Sequence, residues 1–481
     1  MTDTIFTTTT AIKPTSEHEI IQTLGSAKEK NLSVHCYSGG FNWGYGINAS
    51  VDPHAVYIDL SKMNKIISFD PDLGILKIQP GVTQGQLAEY LAANNHDYYV
   101  PNTGAGERGS LLGNALERGF GISPHHDHAS AILSVRGILG DGTIYESALK
   151  EIDPLLADCF TWGVGPQLDK MVSQSSWIIL TEVGLQLKRR HECTDSMLLA
   201  FSDHELQDIM RGIRDLLSSD DGTVGSIKIF NKNQVLTKEM TVAKESMIFK
   251  TNNEWFLTLI IYSHKITRNS VLKMVKHHFS KYSTNQKIFF NTKKISWLVK
   301  FLEMLPIKSL NLHAKKLRDM NEMMKLASGF TSEVGYKALD INYDYNSKKL
   351  FDLTKFNKDL VWLSPICPLD PKRAIHLLEV VKKLNTTHPE FNFNTFTWTV
   401  LNQRTLALVI PILFEKSQRE EFFKWYRNIH LELKKEGYIP YRFHTKMMSM
   451  VREELLPNYF KHVNKFEKAM DPDDIIERGR Y

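Results

Sequence analysis

Over the first part of the chain, apolar residues come in short runs separated by glycine, proline and aspartate. Such runs predict strands over "SVHCYS", "AVYIDL" and "WIILTEVGLQLKRR", because β-branched and aromatic side chains suit a pleated surface. "KIISFDPDLGILKIQPG" predicts a hairpin turning at Asp70–Gly74, and "AILSVRGILGDGTIYES" a second turning on Asp141–Gly142. Helices are marked by their caps. Ser16 with Glu19 opens one over "EHEIIQTLGSAKEKN", and Thr83 with Gln86 opens another over "QGQLAEYLAANN". A third starts near Ser110 and stops at Gly119, read as the glycine just past a helix end. Beyond residue 195 the apolar segments lengthen and lysines multiply, as in "LQDIMRGIRDLLSS", "WFLTLIIYS", "AIHLLEVVKKL" and "FTWTVLNQRTLALVIPILF". This predicts a second α+β domain, a sheet carrying helices on one side. The end returns to short elements, "GYIPYRFHTKMM", a helix near "YFKHVNKFEKAM", and "DPDDIIERG", suited to packing back on the first domain.

Composition adds bounds. The 481 residues are 42% hydrophobic and 23% charged, enough for two domains with cores of their own. The net charge of +5 is mild and spread along the chain, so neither nucleic acid nor a membrane surface is expected as partner. The lysine-rich part of 264–316 reads as solvated helix faces. Cys36, Cys159, Cys193 and Cys367 lie far apart, which fits reduced thiols in a cytoplasmic protein rather than a disulfide frame or zinc site. The N-terminal stretch lacks the basic and apolar regions of a signal peptide, and no apolar run approaches the ~18 residues of a membrane span.

Three stretches carry chemistry. "GAGERG" (104–109) matches GxGxxG, yet Pro101 and Asn102 interrupt the approach and no βαβ pattern surrounds it. A nicotinamide site of the doubly wound type is therefore disfavoured, although small residues before a helix still let backbone N–H groups approach a pyrophosphate. "GGFNWGYG" (39–46), four of whose eight residues are glycine, is a second such loop after a strand. Two glycine loops in one domain favour a large phosphorylated redox cofactor. "GISPHHDHASAIL" (121–133) places His125, His126, Asp127 and His128 in succession. They suit a metal site, an acid/base site or an exposed polar turn. Metal is disfavoured, because adjacent residues of an extended chain point to opposite faces and no second cluster accompanies them.

Six motifs in order, "GGFNWGYG", "QPGVTQGQLAEYL", "GNALERGFGISPHHDH", "GVGPQLDKMVSQSS", "GYIPYRFHTKMM" and "DPDDIIERGR", resemble the vanillyl-alcohol oxidase/p-cresol methylhydroxylase flavoproteins. Within that family they look most like the branch that oxidises para-substituted phenols. The resemblance implies a two-part FAD-binding domain of the p-cresol methylhydroxylase type, residues 1–195 and a returning segment 433–481, with an α+β cap, 196–432, shaping the substrate pocket. Gly39, Gly40, Phe41, Asn42 and Gly44 fall in the first cofactor loop. Gly104, Gly106, Ser110, Gly113 and Asn114 form the second cradle, with Gly119 suited to close approach. By the same resemblance Tyr45, Tyr441 and Arg442 hold the substrate phenolate, and Asp127 stands near the reacting carbon as base or electrostatic partner.

Two departures from the family pattern concern the flavin link. Phe41 and Leu360 stand where attachment histidines belong, so non-covalent FAD is expected, with a tyrosyl link left open. His125 and His126 replace an aromatic residue and a glycine, which makes the pocket floor bulkier and more polar. The leading expectation is an FAD-dependent oxidase or dehydrogenase of a para-substituted phenol or related aromatic alcohol, with O₂ as acceptor and a homodimer as one possible assembly. The alternative is a flavin dehydrogenase of a non-phenolic alcohol or hydroxy acid, passing electrons to a cytochrome or quinone, with Arg442 holding a carboxylate. A flavoprotein scaffold without catalysis is the third reading, and the intact glycine loops argue against it.

Overall fold

The computed structural model describes residues 11–104, 106–124, 126–220, 222–235, 253–304, 308–332 and 358–481. Ala105 and His125 lie outside the described residues. The chain divides into two compact units. The first comprises Met1–Gly121, Asp127–Arg189 and Arg442–Tyr481, and the second Ile122–His126 and Arg190–Tyr441.

In the first unit, helix α1 (Glu17–Glu29) opens where the Ser16 hydroxyl accepts from the Glu19 amide (3.4 Å). The Glu19 carboxylate returns to the Thr15 amide (3.0 Å), one residue earlier than a reciprocal box requires. Strands β1 (Val34–Tyr37) and β2 (Val56–Asp59) form a parallel pair. β3 (Ile66–Asp70) and β4 (Ile75–Ile78) make the first predicted hairpin. Its turn is held by Asp70 Oδ1, which accepts from the amides of Asp72 and Leu73, and closes on Gly74 at φ +70°. Helix α2 (Gln84–Ala93) has the full Thr83–Gln86 box, and α3 (Leu111–Leu116) follows. β5 (Ile132–Leu139) and β6 (Ile144–Glu146) make the second hairpin, and β7 (Ile178–Gln186) completes an antiparallel sheet in the order β3-β4-β7-β5-β6. Leu76, Ile78, Val135, Val183 and Leu185 of that sheet bury against Leu87 and Leu91 of α2 and Leu111 and Leu112 of α3.

The C-terminal segment is part of this unit. The Val34 amide donates to the Ile475 carbonyl (2.7 Å) and the Glu477 amide to the Val34 carbonyl (2.8 Å), so 475–477 runs beside β1 like a further parallel strand. Ile475 and Ile476 are both buried, in a core with Ile20, Leu24, Ile58, Ile138 and Ile179. Asp471 shapes the approach, accepting from the amides of Ile475 (2.8 Å) and Ile476 (2.7 Å). Opposite it stands Gly140, where any Cβ would lie 2.0 Å from Asp471 Oδ1.

The second unit is built on a nine-stranded sheet in the order β11-β8-β10-β9-β14-β15-β13-β16, with β12 also paired to β15. Its strands are β8 (Cys193–Phe201), β9 (Val224–Asn231), β10 (Trp255–Ser263), β11 (Lys287–Phe290), β12 (Lys358–Leu363), β13 (Pro365–Pro368), β14 (Thr397–Asn402), β15 (Thr405–Glu415) and β16 (Ile439–Pro440). Helices α4 (Leu206–Ser218), α5 (Lys308–Ala327) and α6 (Pro371–Asn385) belong to the same unit. Side chains alternate between the two faces of a sheet. One face carries Met197, Leu199, Ile227, Ile229, Leu257, Leu259, Trp398, Leu406 and Leu408, all buried. The opposite face carries Lys228, Phe230, Thr258 and Thr399, all half-buried.

The docking of the C-terminal segment on β1 sets a test. Ile476→Ala removes most of a fully buried side chain and is expected to destabilise the first unit by about 2–5 kcal/mol. A lowered thermal midpoint is the expected outcome, and an unchanged midpoint contradicts this packing.

Candidate active site

The residues singled out in the first glycine loop are held by that loop's own backbone. After β1 the chain turns through Gly40 (φ +68°), Gly44 (φ +80°) and Gly46 (φ +110°), values that L side chains rarely adopt. The Asn42 carbonyl accepts from the amides of Tyr45 (3.2 Å) and Ile47 (3.0 Å), and that of Phe41 from Trp43 (2.8 Å). Gly46 sits where a Cβ would meet Thr445 Oγ1 at 2.2 Å, so the loop lies against the start of the C-terminal segment. The Thr445 amide donates to the Tyr45 carbonyl (3.1 Å) there. Phe41 lies beneath the Arg108 guanidinium, 4.8 Å from its ring centre.

The second loop abuts the first. A Cβ on Gly113 would lie 2.8 Å from Ser38 Oγ, so glycine there lets α3 approach the residue that precedes Gly39. Gly106 takes φ +74° and its carbonyl accepts from the Gly109 amide (3.3 Å). Ser110 caps α3, accepting from the Gly113 amide (3.0 Å) and donating to the Pro80 carbonyl (2.7 Å). The Leu111 amide, at the start of α3, donates to the Val82 carbonyl (3.1 Å). These bonds take up the Leu111 and Gly113 amides of the six-residue helix.

The expectation for Gly119 is corrected. The left-handed position past α3 is taken by Arg118 (φ +50°), not by the glycine. Gly119 is required for a different reason: a Cβ there would fall 1.8 Å from Asn114 Oδ1. Asn114 in turn bonds through its side-chain amide to Nδ1 of buried His128. Asp127, next to it, forms a bridge with Phe120 and accepts from the Ser130 amide at 3.4 Å. His126 belongs to the second unit, where its Nε2 meets the Leu401 carbonyl (3.2 Å). Among the described residues, no three His, Cys, Asp or Glu side chains gather closely enough to hold a metal ion.

Tyr45 and Arg442 come together. The Arg442 guanidinium lies over the Tyr45 ring, 4.2 Å from its centre, and both residues are buried. Such a cation–π contact is worth about 2 kcal/mol when desolvated. Arg442 Nη2 donates to Asn42 Oδ1, and Nε stands 3.4 Å from Glu117 Oε2. The other Glu117 oxygen pairs with Arg480 Nη2. Arg480 Nη1 reaches Glu477 Oε2 (3.3 Å), which also meets His35 Nδ1 (2.8 Å), while Glu477 Oε1 accepts from the Cys36 amide (2.6 Å). Burial pushes the Cys36 thiol well up, with Glu477 adding to the effect, so this cysteine stays protonated. Burial likewise pushes the Tyr481 phenol up, although its oxygen accepts from the Phe443 amide (2.8 Å). Tyr441 lies on the other side of the division, its amide 3.4 Å from the Ser364 carbonyl in the second unit. Leu360 is buried in β12 of that unit.

Glu117, Arg480, Glu477 and His35 escaped the sequence reading. Glu117 lies in the "GNALERGFGISPHHDH" motif and Glu477 and Arg480 in "DPDDIIERGR", and none of the three was singled out there. The signal available was the Glu-x-x-Arg spacing at 477 and 480.

The loops fit FAD: two glycine-opened backbones stand side by side, with a buried guanidinium beside them. The comparisons agree. Residues 9–148 match the family model of the FAD binding domain. The flavoprotein subunit of 4-cresol dehydrogenase [hydroxylating] from Pseudomonas putida is 23% identical, over 98% of this chain and 87% of that protein. The 1'-carboxy-chondrochloren decarboxylase of Chondromyces crocatus is also 23% identical, over 98% of this chain and 90% of its own. A solved structure of 4-ethylphenol oxidase from Gulosibacter chungangensis, in complex with isoeugenol, shares the fold with a TM-score of 0.81 at 17% identity, covering 98% of this chain and 88% of that one. The protein is thus an FAD-binding oxidoreductase. It has the mixed α/β fold of p-cresol methylhydroxylase-type flavoproteins and is similar to them along nearly its whole length. Among the described residues, no helix is long and apolar enough to cross a membrane.

Glu117 shared between two guanidiniums predicts strong coupling. Glu117→Gln and Arg480→Met are each expected to cost about 3 kcal/mol, because each leaves a buried charge without its partner. The double variant should cost less than the two together. Simple additivity in denaturant unfolding contradicts the shared ion pair.

Proposed function

We propose that the protein oxidises a para-substituted phenol, or a related aromatic alcohol, with non-covalent FAD as hydride acceptor and O₂ as final acceptor. The observation that carries this reading is the buried Arg442 guanidinium lying on the Tyr45 ring. Glu117 is divided between Arg442 and Arg480, and Glu477 between Arg480 and His35. Arg442 therefore shares Glu117 with Arg480, and its own contact with that carboxylate is at Nε, 3.4 Å away, with Nη2 turned to Asn42. A phenol of pKa about 10 ionises in a desolvated pocket only where such a charge and hydrogen-bond donors hold the oxygen. Arg442 supplies the charge, and the Tyr45 and Tyr441 hydroxyls supply donors. FAD, when bound, would supply the hydride acceptor, with O₂ as the final acceptor.

Ionising the phenol pushes electron density toward the para position, which eases loss of hydride from the carbon attached there. The substrate becomes a quinone methide, short of one proton and one hydride. Asp127, half-buried, with a long bond from the Ser130 amide, is suited to take the proton of a water adding to that carbon. The resemblance to phenol-oxidising relatives supports this reading. Phe41 beneath Arg108, and Leu360 buried in β12, support non-covalent FAD, because neither side chain can form a histidyl link.

Two measurements test the proposal. Acid precipitation of the purified yellow protein should leave the flavin in the supernatant; yellow in the pellet points to a covalent link elsewhere. Tyr45→Phe and Arg442→Lys should each lower kcat/KM for a 4-alkylphenol by about 10²-fold or more while FAD stays bound. A Tyr45→Phe variant with unchanged activity and no peroxide release overturns the phenol reading in favour of a non-phenolic alcohol and another electron acceptor.

A further inference from the structure

The lysine-rich stretch 264–316 contains a helix, Thr292–Glu303, whose exposed side is not uniformly polar. Ile295 and Val299, four residues apart, are buried and form the inward stripe of this helix within the second unit. On the opposite side Trp297 is 67% exposed and Phe301 48%, and Met304, just past the helix end, is 82% exposed. The Met304 amide donates to the Lys300 carbonyl (3.2 Å), so the helical spacing carries through to it. Trp297 and Phe301 stack on one another, with ring centres 5.7 Å apart and planes inclined by 9°.

Three lysines border that apolar strip. With about 3.6 residues per turn, Lys293 and Lys300 fall along one side of it and Lys294 along the other, and all three are exposed. Glu303 is the one acid in the sequence from 292 to 304. Lysine stems lie along apolar surface while their ammonium groups reach outward. The face is thus a strip of large apolar side chains between two positive margins, and exposed apolar rows of this size mark a contact surface.

Area and charge decide what the face contacts. The three apolar side chains present roughly 400 Å², about half of the ~800 Å² that each partner of a stable dimer buries. A symmetric contact between two copies would also set lysines against lysines, which costs affinity. An anionic bilayer suits both features. Tryptophan and phenylalanine enter the boundary between headgroups and acyl chains, and lysines on either side reach the phosphates. The mild net charge of the whole chain does not weigh against this, because each lysine close to an anionic surface acts locally and is worth about fivefold in partitioning.

We infer that the helix Thr292–Glu303 is a membrane-contact element, laying Trp297, Phe301 and Met304 into the surface of an anionic phospholipid bilayer while Lys293, Lys294 and Lys300 bind its phosphates. The contact is peripheral, on the bilayer rather than across it, and the short strip makes it reversible. It is independent of which substrate the protein oxidises, so either reading can fail alone.

The test sediments the full-length, FAD-loaded protein with sucrose-loaded vesicles of phosphatidylcholine, with and without about 30% phosphatidylglycerol. The wild type should pellet with the anionic vesicles, far less with phosphatidylcholine alone, and be released by high salt, which screens exposed charges. Trp297→Ser combined with Phe301→Ser should lower the partition coefficient at least about tenfold. Lys293→Gln, Lys294→Gln and Lys300→Gln together should do the same and abolish the preference for anionic vesicles. Trp162→Ser, which removes a tryptophan of similar exposure (69%) from the first unit, should leave partitioning unchanged. All these side chains are exposed, so thermal midpoints should stay at the wild-type value and separate lost binding from lost folding. A wild type that ignores anionic vesicles overturns the inference, and so does binding that the Trp297/Phe301 variant retains. Sedimentation without lipid gives the remaining check: a mass that halves in that variant means a second copy covers the face, and the membrane reading fails.

Discussion

Much of the first unit depends on one carboxylate. Glu117 closes α3, and its two oxygens face two guanidiniums, Arg442 and Arg480, from the start and the end of the C-terminal segment. Buried charges persist only when paired, and breaking one pair leaves its partner stranded. The constraint therefore ties three distant stretches of sequence into one arrangement. Arg480 is held in turn by Glu477, and Glu477 by His35 and the Cys36 amide at the end of β1. From β1 the chain runs straight into the glycine loop, whose Asn42 accepts from Arg442. The network thus returns to its starting point. The result is a guanidinium fixed over Tyr45 without a carboxylate to itself.

That shared pairing is what the proposed chemistry draws on. A buried guanidinium attracts an anion brought beside it in a place where water screens it little. The glycines serve the same end by different means. Gly46 permits contact with Thr445, and Gly113 permits contact with Ser38. Each is a close approach that a methyl group would prevent, and together they bring the C-terminal segment and α3 up to one loop.

Local elements were largely legible in the sequence because their signals are local. The capped starts of α1 and α2 and the Asp-Gly turn at Asp141–Gly142 all carry their cause within a few residues. Gly119 was misread because a glycine after a helix usually marks a left-handed cap. Here Arg118 takes that conformation, and the glycine is there to clear Asn114. The ion-pair network was not legible. Glu117 and Arg480 are 363 positions apart, and no periodicity or spacing connects residues that meet only through tertiary packing. The strand order of the second sheet was hidden for the same reason, since register is invisible until the strands are ordered. The two glycine loops, by contrast, pointed to a phosphorylated cofactor from composition alone, because backbone approach to such a group demands residues without side chains.

The central claim is that the buried Arg442 guanidinium ionises a phenol beside Tyr45. The most direct measurement is the ultraviolet difference spectrum of the FAD-loaded protein with a 4-alkylphenol, taken without oxygen near pH 7, about three units below the phenol's own pKa. The account predicts that bound ligand shows the phenolate band, and that Arg442→Lys weakens it. A spectrum of neutral phenol, bound and unshifted, would contradict it.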